Sequence, residues 1–315
     1  MYSELSAWVE SPLQLLGALE HAALMSSSTP HHAMTIVPRG GDAQLETTAS
    51  HLADRVRTHA HVNARMAIDV RVMPFALFAA DTPWLIGDAF SGQVQARLDR
   101  VEPSTLTIVD DGAITRVLAR HLAEGTPLVR PRAPRLWAGL RRELAARTTR
   151  RLRALAADGR LSVTTYLADD DDAVTQLRSI GASVVTHRFD VTRMLGERAV
   201  HVPRGARIVL GTAHVADGLT DAATELQRIA ELARSGAVAY LPHRREPAWF
   251  TTAVGRLPET SVIAATLPIE LALAGTERPL EIIAALSTAA ETLPIVLRGS
   301  GSTVSAQPTV REVTS

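Results

Sequence analysis

Short runs of consecutive apolar residues alternate along this chain with longer segments in which apolar positions recur every three or four residues. The first pattern reads as a buried parallel strand, the second as an amphipathic helix. Ser6-Ala7-Trp8-Val9 opens the series as a strand. Ser11 and Pro12 then suit a helix start, because serine caps well and a proline in the first turn gives up an amide that has no partner there. Leu15, Leu16, Leu19 and Ala22 form the apolar stripe of that helix. Met34 to Val37 and Ile68 to Val72 are predicted strands, with a helix from Ala43 to Val56 between them. Pro83 to Leu98 is predicted helical, and Leu106 to Val109 is the next strand.

Around residues 188 to 206 the chain turns polar and arginine-rich, with Pro203 and Gly205, and a domain linker is expected there. The alternation then resumes. A strand at Ile208-Val209-Leu210 runs into Gly211-Thr212, a helix spans about Asp221 to Ala233, and further strands are expected at Ala237 to Tyr240, Val262 to Ala264 and Leu280 to Ala284. A helix near Ser287 and a strand at Ile295 to Leu297 complete the pattern. The prediction is an α/β protein with an N-terminal Rossmann-like domain over 1–195, a C-terminal one over 196–300 facing it across a cleft, and a loose polar tail over 301–315.

Composition narrows the chemistry. With 46% hydrophobic and 21% charged residues in 315, there is enough apolar material for two packed units. Cysteine is absent, which removes disulfides, thiolate nucleophiles and Cys-ligated zinc. Lysine is absent too, so every one of the 33 basic residues is arginine and no Schiff base or P-loop lysine exists. A GC-rich coding sequence accounts for that bias, since Ala, Leu and Thr are also plentiful. Glu4 and Glu10 stand where a signal peptide would be basic, and no run of about 18 apolar residues occurs, so a cytoplasmic protein is expected.

Two charged segments invite a function and also have plainer readings. Nine arginines lie between Arg130 and Arg153, with Leu136, Leu140 and Leu144 at four-residue spacing. A solvated helix face is the preferred reading; the alternative is peripheral contact of residues 130–153 with an anionic membrane surface on the inner face of the cell membrane. Asp169 to Asp172 reads as a helix start, because consecutive aspartates splay apart and do not converge on a metal ion.

Candidate chemistry sits where strands empty into loops. Val109-Asp110-Asp111-Gly112 and Tyr240-Leu241-Pro242-His243-Arg244-Arg245-Glu246 each follow an apolar run, at the sheet edge where ligands bind in open α/β folds. A carboxylate pair and a histidine followed by two arginines supply a proton acceptor, a proton donor and an anion clamp. Such a set suits transfer of a group away from a phosphate.

Together with Ser11-Pro12-Leu13-Gln14, Pro268-Ile269-Glu270 and Ser287-Thr288, taken in order along the chain, these motifs resemble the bacterial sialyltransferases of glycosyltransferase family 52 and the related capsular polysialyltransferases. In that family the histidine is commonly followed by proline, whereas Arg244 stands there in this chain and Pro242 precedes it. The resemblance implies a GT-B fold, a CMP-sialic acid donor held by the C-terminal domain, a glycan acceptor approaching from the N-terminal one, and an inverting reaction without metal or other cofactor. It implies Asp110 as the base on the acceptor hydroxyl, with Asp111 the fallback, and His243 as the group that stabilises the leaving CMP phosphate. Glu270 would accept from the ribose hydroxyls, and Ser287 and Thr288 would hold the phosphate at a helix start. Further substrate contacts are expected from Ser11, Gln14, Gly112, Gly211, Thr212, Arg244 and Arg245.

Two alternatives remain at this point: a GT-B enzyme using another nucleotide sugar, and a nucleotide-sugar-binding protein without turnover. A nucleic-acid binder is disfavoured by zero net charge and only 4% aromatic residues.

Overall fold

The computed structural model describes residues 3–25, 32–38, 42–63, 66–70, 78–109, 112–130, 138–196 and 201–307. The chain divides into two compact units, Met1–Val191 and Thr192–Ser315.

The first unit alternates strand and helix as the apolar pattern requires. Its elements run β1 (Ser3–Val9), α1 (Pro12–Met25), β2 (His32–Pro38), α2 (Ala43–Thr58), α3 (Ala60–Asn63), β3 (Met66–Val70), β4 (Pro83–Ile86) and α4 (Gly92–Arg100). They continue with β5 (Thr105–Val109), α5 (Ala113–Glu124), α6 (Ala138–Ala157), β6 (Leu161–Thr165), α7 (Asp172–Ser179), β7 (Ser183–Thr186) and α8 (Asp190–Leu195), within which the division between units falls. The seven strands are parallel in the order β3-β2-β1-β4-β5-β6-β7. The order reverses direction between β1 and β4, where Ser6 pairs with Trp84, and that crossing is the topological switch point of a doubly wound sheet.

The second unit repeats the plan with fewer strands: β8 (Arg207–Leu210), α9 (Ala222–Arg234), β9 (Val238–Leu241), α10 (Ala248–Val254), β10 (Thr260–Val262), α11 (Ile269–Ala274), β11 (Glu281–Ala285), α12 (Thr288–Val296) and β12 (Thr303–Gln307). Its parallel order is β10-β9-β8-β11-β12, with the switch point between β8 and β11. Val209, Ile229, Val238, Phe250 and Val254 form its core, with Tyr240 wholly buried among them.

Several expectations change. Pro83 to Leu98 is not one helix: Pro83–Ile86 is the central strand β4, and the helix begins only at Gly92. Trp84, Leu85 and Ile86 are all buried, and a short apolar run buried on both faces has no period that separates strand from helix. Ile295 to Leu297 is not a strand but the end of α12, which carries Pro294 within it. In the stretch expected to be loose from 301 onward, residues 303–307 form the edge strand β12, paired with β11 from Glu281↔Thr303 to Ala285↔Gln307.

The aspartate run is a helix start. Asp171 caps α7 by accepting from Ala173 N at 2.9 Å and also receives Arg116, while Asp169 pairs with Arg178 at 2.6 Å. The basic helix α6 turns much of its charge toward its own unit. Arg147 grips Asp99 through two hydrogen bonds of 2.7 and 3.2 Å. Arg151 donates to the carbonyls of Leu98 and Val101 at the end of α4, and Arg153 to those of Leu122 and Ala123 at the end of α5. These guanidiniums bring charged donors to carbonyls at helix C-termini, the negative end of the helix dipole. Arg151 is therefore not a free surface charge, and on α6 the expected basic face narrows to the exposed Arg141, Arg142 and Arg150; Arg132, Arg135 and Leu136 lie outside the described residues. Among the described residues no helix is long and apolar enough to cross a membrane.

Candidate active site

At the carboxyl edge of the second sheet, the loops after β8, β9 and β11 carry Gly211-Thr212, His243 and Ser287-Thr288. Parallel strands released side by side bring these three loops to one edge, flanking the switch point.

The first two loops are tied by one carboxyl group. Glu246 accepts from the Tyr240 hydroxyl through Oε1 and from the backbone N–H of His243 through Oε2, the latter at 3.2 Å. Thr212 N–H donates to the same carboxyl. Gly211 fits against this cluster only because it has no side chain: a Cβ there would stand 2.7 Å from Glu246 Oε2 and 2.8 Å from both His243 N and Tyr240 Oη. Burial raises the Glu246 pKa above its ordinary value, against the pull of its three donors, and burial beside Glu246 raises that of Tyr240.

His243 sits in the turn closed by Glu246 N donating to His243 O at 2.8 Å. Its Nδ1 accepts from Arg245 N at 3.2 Å, so the proton of the neutral ring is on Nε2. Burial first, then the charges of Arg244 and Arg245, lower its pKa below the ordinary histidine value. The ring is thus a neutral donor through Nε2 and not a standing imidazolium.

The neighbouring cations differ from expectation. Arg245 pairs with Asp217 in the loop after β8 and so is not an open anion clamp. Arg244 is exposed on the same turn.

Ser287 is the residue before α12 and is exposed, and its hydroxyl makes no capping hydrogen bond to that helix. Thr288 begins the helix proper. Their backbone amides and hydroxyls therefore stand at the positive end of a nine-residue helix. Glu270, in the first turn of α11, is 6% exposed; its Oε1 accepts from the Thr292 hydroxyl of α12 at 2.7 Å, and burial raises its pKa.

In the first unit, Asp110 and Asp111 lie outside the described residues. Their frame is described: β5 ends at Val109, and Gly112 takes φ 83° and ψ −131° before α5, a backbone region that side chains exclude. Ser11 caps α1 through Gln14 N at 3.2 Å, as its place before Pro12 predicts.

Gln14 was expected to touch substrate and does not face outward. It is 1% exposed, its Oε1 accepts from Glu10 N at 2.7 Å, and its carboxamide occupies the space that a side chain at Gly87 would need. Gly87, whose N donates to Trp8 O at 2.8 Å, thereby lets Gln14 brace the β1 exit against the β4 exit at the switch point.

Sequence reasoning gave no role to Glu246, although it lies in the segment singled out, and none to Gly87 or His187. His187, at the exit of β7, is 3% exposed with its ring edge-on to Phe189 at 4.6 Å, and its Nδ1 has no hydrogen-bond partner. Desolvation lowers its pKa to about 3. Among the described residues no cluster of three or more His, Asp or Glu side chains could hold a metal ion.

No protein-family model matches the chain, and no curated protein matches it in sequence. Solved structures do resemble it. The 2,6-sialyltransferase of Vibrionaceae Photobacterium sp. JT-ISH-224, crystallised with the donor product CMP and the acceptor substrate lactose, superposes with a TM-score of 0.54 at 11% identity, over 97% of this chain and 71% of that one. UGT2 of Phytolacca americana, complexed with UDP-2fluoro-glucose and pterostilbene, matches with a TM-score of 0.46 at 11% identity, over 96% of this chain and 80% of that one. At such identity the likeness is one of fold, and the fold is of the GT-B type, built from two Rossmann-like units.

Proposed function

We propose that the chain is an inverting, metal-independent glycosyltransferase that moves sialic acid, or a related nonulosonic acid, from a CMP-activated donor to a hydroxyl of a glycan acceptor. Its motifs favour the family 52 and polysialyltransferase group, and the bacterial 2,6-sialyltransferase that shares its fold was crystallised with CMP. The observation that carries this reading is that the loop bearing His243 and the Ser287-Thr288 helix start both leave the carboxyl edge of the second sheet, on either side of β8.

In this reading the donor phosphate lies at the start of α12, held by amides, the Ser287 hydroxyl and the helix dipole. Thr212, Gly211 and Arg244 line the same edge. Glu270 offers its second carboxyl oxygen to the ribose hydroxyls, whose donors offset the burial that raises its pKa. The acceptor oxygen bonds to the anomeric carbon as the bond from that carbon to the phosphate oxygen breaks. The acceptor proton passes to Asp110, with Asp111 as the fallback, and the electron pair leaves with the phosphate. His243 meets the growing charge through Nε2–H, a donor already oriented before the reaction. The exposed Arg141, Arg142 and Arg150, beside a Leu140 that is 72% exposed, form a peripheral contact with anionic lipid on the cytoplasmic face of the membrane.

Division of labour tests the scheme. Asp110→Ala lowers turnover by about 10² to 10⁴ and leaves CMP affinity intact, whereas Ser287→Ala weakens CMP binding. If Asp110→Ala lost CMP affinity as Ser287→Ala does, the assignment of acceptor and donor halves would be wrong.

A further inference from the structure

The carboxyl group of Glu246 joins atoms from three places in the chain: the Tyr240 hydroxyl within β9, the His243 amide after it, and the Thr212 amide after β8. Among the described residues no arginine pairs with it; Arg245, one residue before, is engaged with Asp217. A charged group that acts on it is Glu225 on α9, which is itself held by Arg228 at 2.7 and 3.0 Å. A half-buried carboxylate held by neutral donors gives up part of its hydration and needs those donors well placed, and what it returns is the geometry it fixes.

It fixes the turn from His243 to Glu246. The side chain of Glu246 pins the His243 amide, and its backbone N–H closes the turn on His243 O. Only in that closed turn does Arg245 N reach His243 Nδ1 and set the Nε2–H tautomer. We propose that Glu246 is the positioning residue of this edge: it clamps the loops after β8 and β9 together over Gly211 and, through the turn, holds His243 as an Nε2–H donor. The claim that this donor serves a CMP phosphate rests on the proposed function; the clamp and the tautomer do not.

Ring nitrogen signals of ¹⁵N-histidine in the full-length protein, without ligand, read the tautomer directly, and a CMP titration then reads the consequence. Glu246→Ala is expected to turn the His243 signal from a single Nε2–H form into a mixture and to weaken CMP binding about tenfold, equivalent to about 1.4 kcal/mol. Glu246→Gln keeps an acceptor for the His243 amide and can turn its NH₂ toward the Tyr240 oxygen, so it is expected to restore most of the Nε2–H form. Tyr240→Phe, which frees only Oε1, shifts the ring signals in the same direction by less and decides the matter should Glu246→Ala not fold. Unchanged His243 signals in Tyr240→Phe and in a folded Glu246→Ala, or the same mixture in Glu246→Gln as in Ala, overturn the proposal. If the ring signals move as expected while wild-type protein ignores CMP, the clamp stands and the donor assignment falls.

Discussion

The backbone N–H of Arg245 donates to Nδ1 of His243 at 3.2 Å, and this one contact decides which face of the imidazole can act on a ligand. A neutral ring with Nδ1 occupied has a single donor, Nε2–H. Protonating the ring would set two N–H groups against each other at Nδ1, in addition to the opposition of Arg244 and Arg245 and the cost of burial.

The titration of His243 should follow. In the free protein its midpoint lies below the ordinary value near 6.5. An added phosphate favours the charged ring and raises that midpoint, so CMP binding below neutral pH takes up a fraction of a proton. NMR titration measures the midpoint, and calorimetry in buffers of different ionisation enthalpy measures the uptake. A free-protein midpoint at or above 6.5 would contradict the burial argument.

His187 makes a separate prediction about acid stability. Its folded pKa is about 3, whereas an unfolded histidine titrates near 6.5. Between those values the unfolded chain binds the extra proton, so stability falls as pH is lowered, by about 1.4 kcal/mol for each unit below the unfolded pKa. His187→Leu removes the titrating group, and the loss of stability between pH 7 and pH 5 should shrink by about 2 kcal/mol in urea unfolding. An unchanged pH dependence would mean that His187 is not held neutral by burial.

The arginines of α6 should separate into two classes. Arg151→Gln and Arg153→Gln each leave helix-end carbonyls without their charged donors and should lower stability by about 1–3 kcal/mol. Gln at Arg141, Arg142 and Arg150 together should leave the melting temperature nearly unchanged, while salt-reversible sedimentation with anionic vesicles is lost. Equal effects of the two sets on melting would deny the carbonyl-capping role.

What could be read from the chain, and what could not, follows from the range of the interactions. The alternation of apolar runs with helical stripes placed Val109 and Tyr240 at strand exits, because a loop after a parallel strand must emerge at the carboxyl edge. The Ser11 cap was legible because it involves only the next three residues. Strand β4 was not, since Trp84, Leu85 and Ile86 are buried without periodicity. Gln14 looked polar and therefore available; only the absence of a side chain at Gly87, just beyond β4 and far along the chain, lets it turn inward. The same holds for Arg151 and Arg153, whose carbonyl partners lie on other helices, and for Glu246, whose clamp needs Gly211 on a separate loop.

The central claim, a cytidine nucleotide held at the start of α12 beside His243, is tested most directly by thermal-shift titration with CMP, UMP and GMP side by side in EDTA. CMP at about 100 times its dissociation constant should add roughly 2.7 kcal/mol of apparent stability, with little response to the other two and none of it dependent on magnesium. An equal response to all three nucleotides, or stabilisation by CMP only when magnesium is restored, would contradict the account.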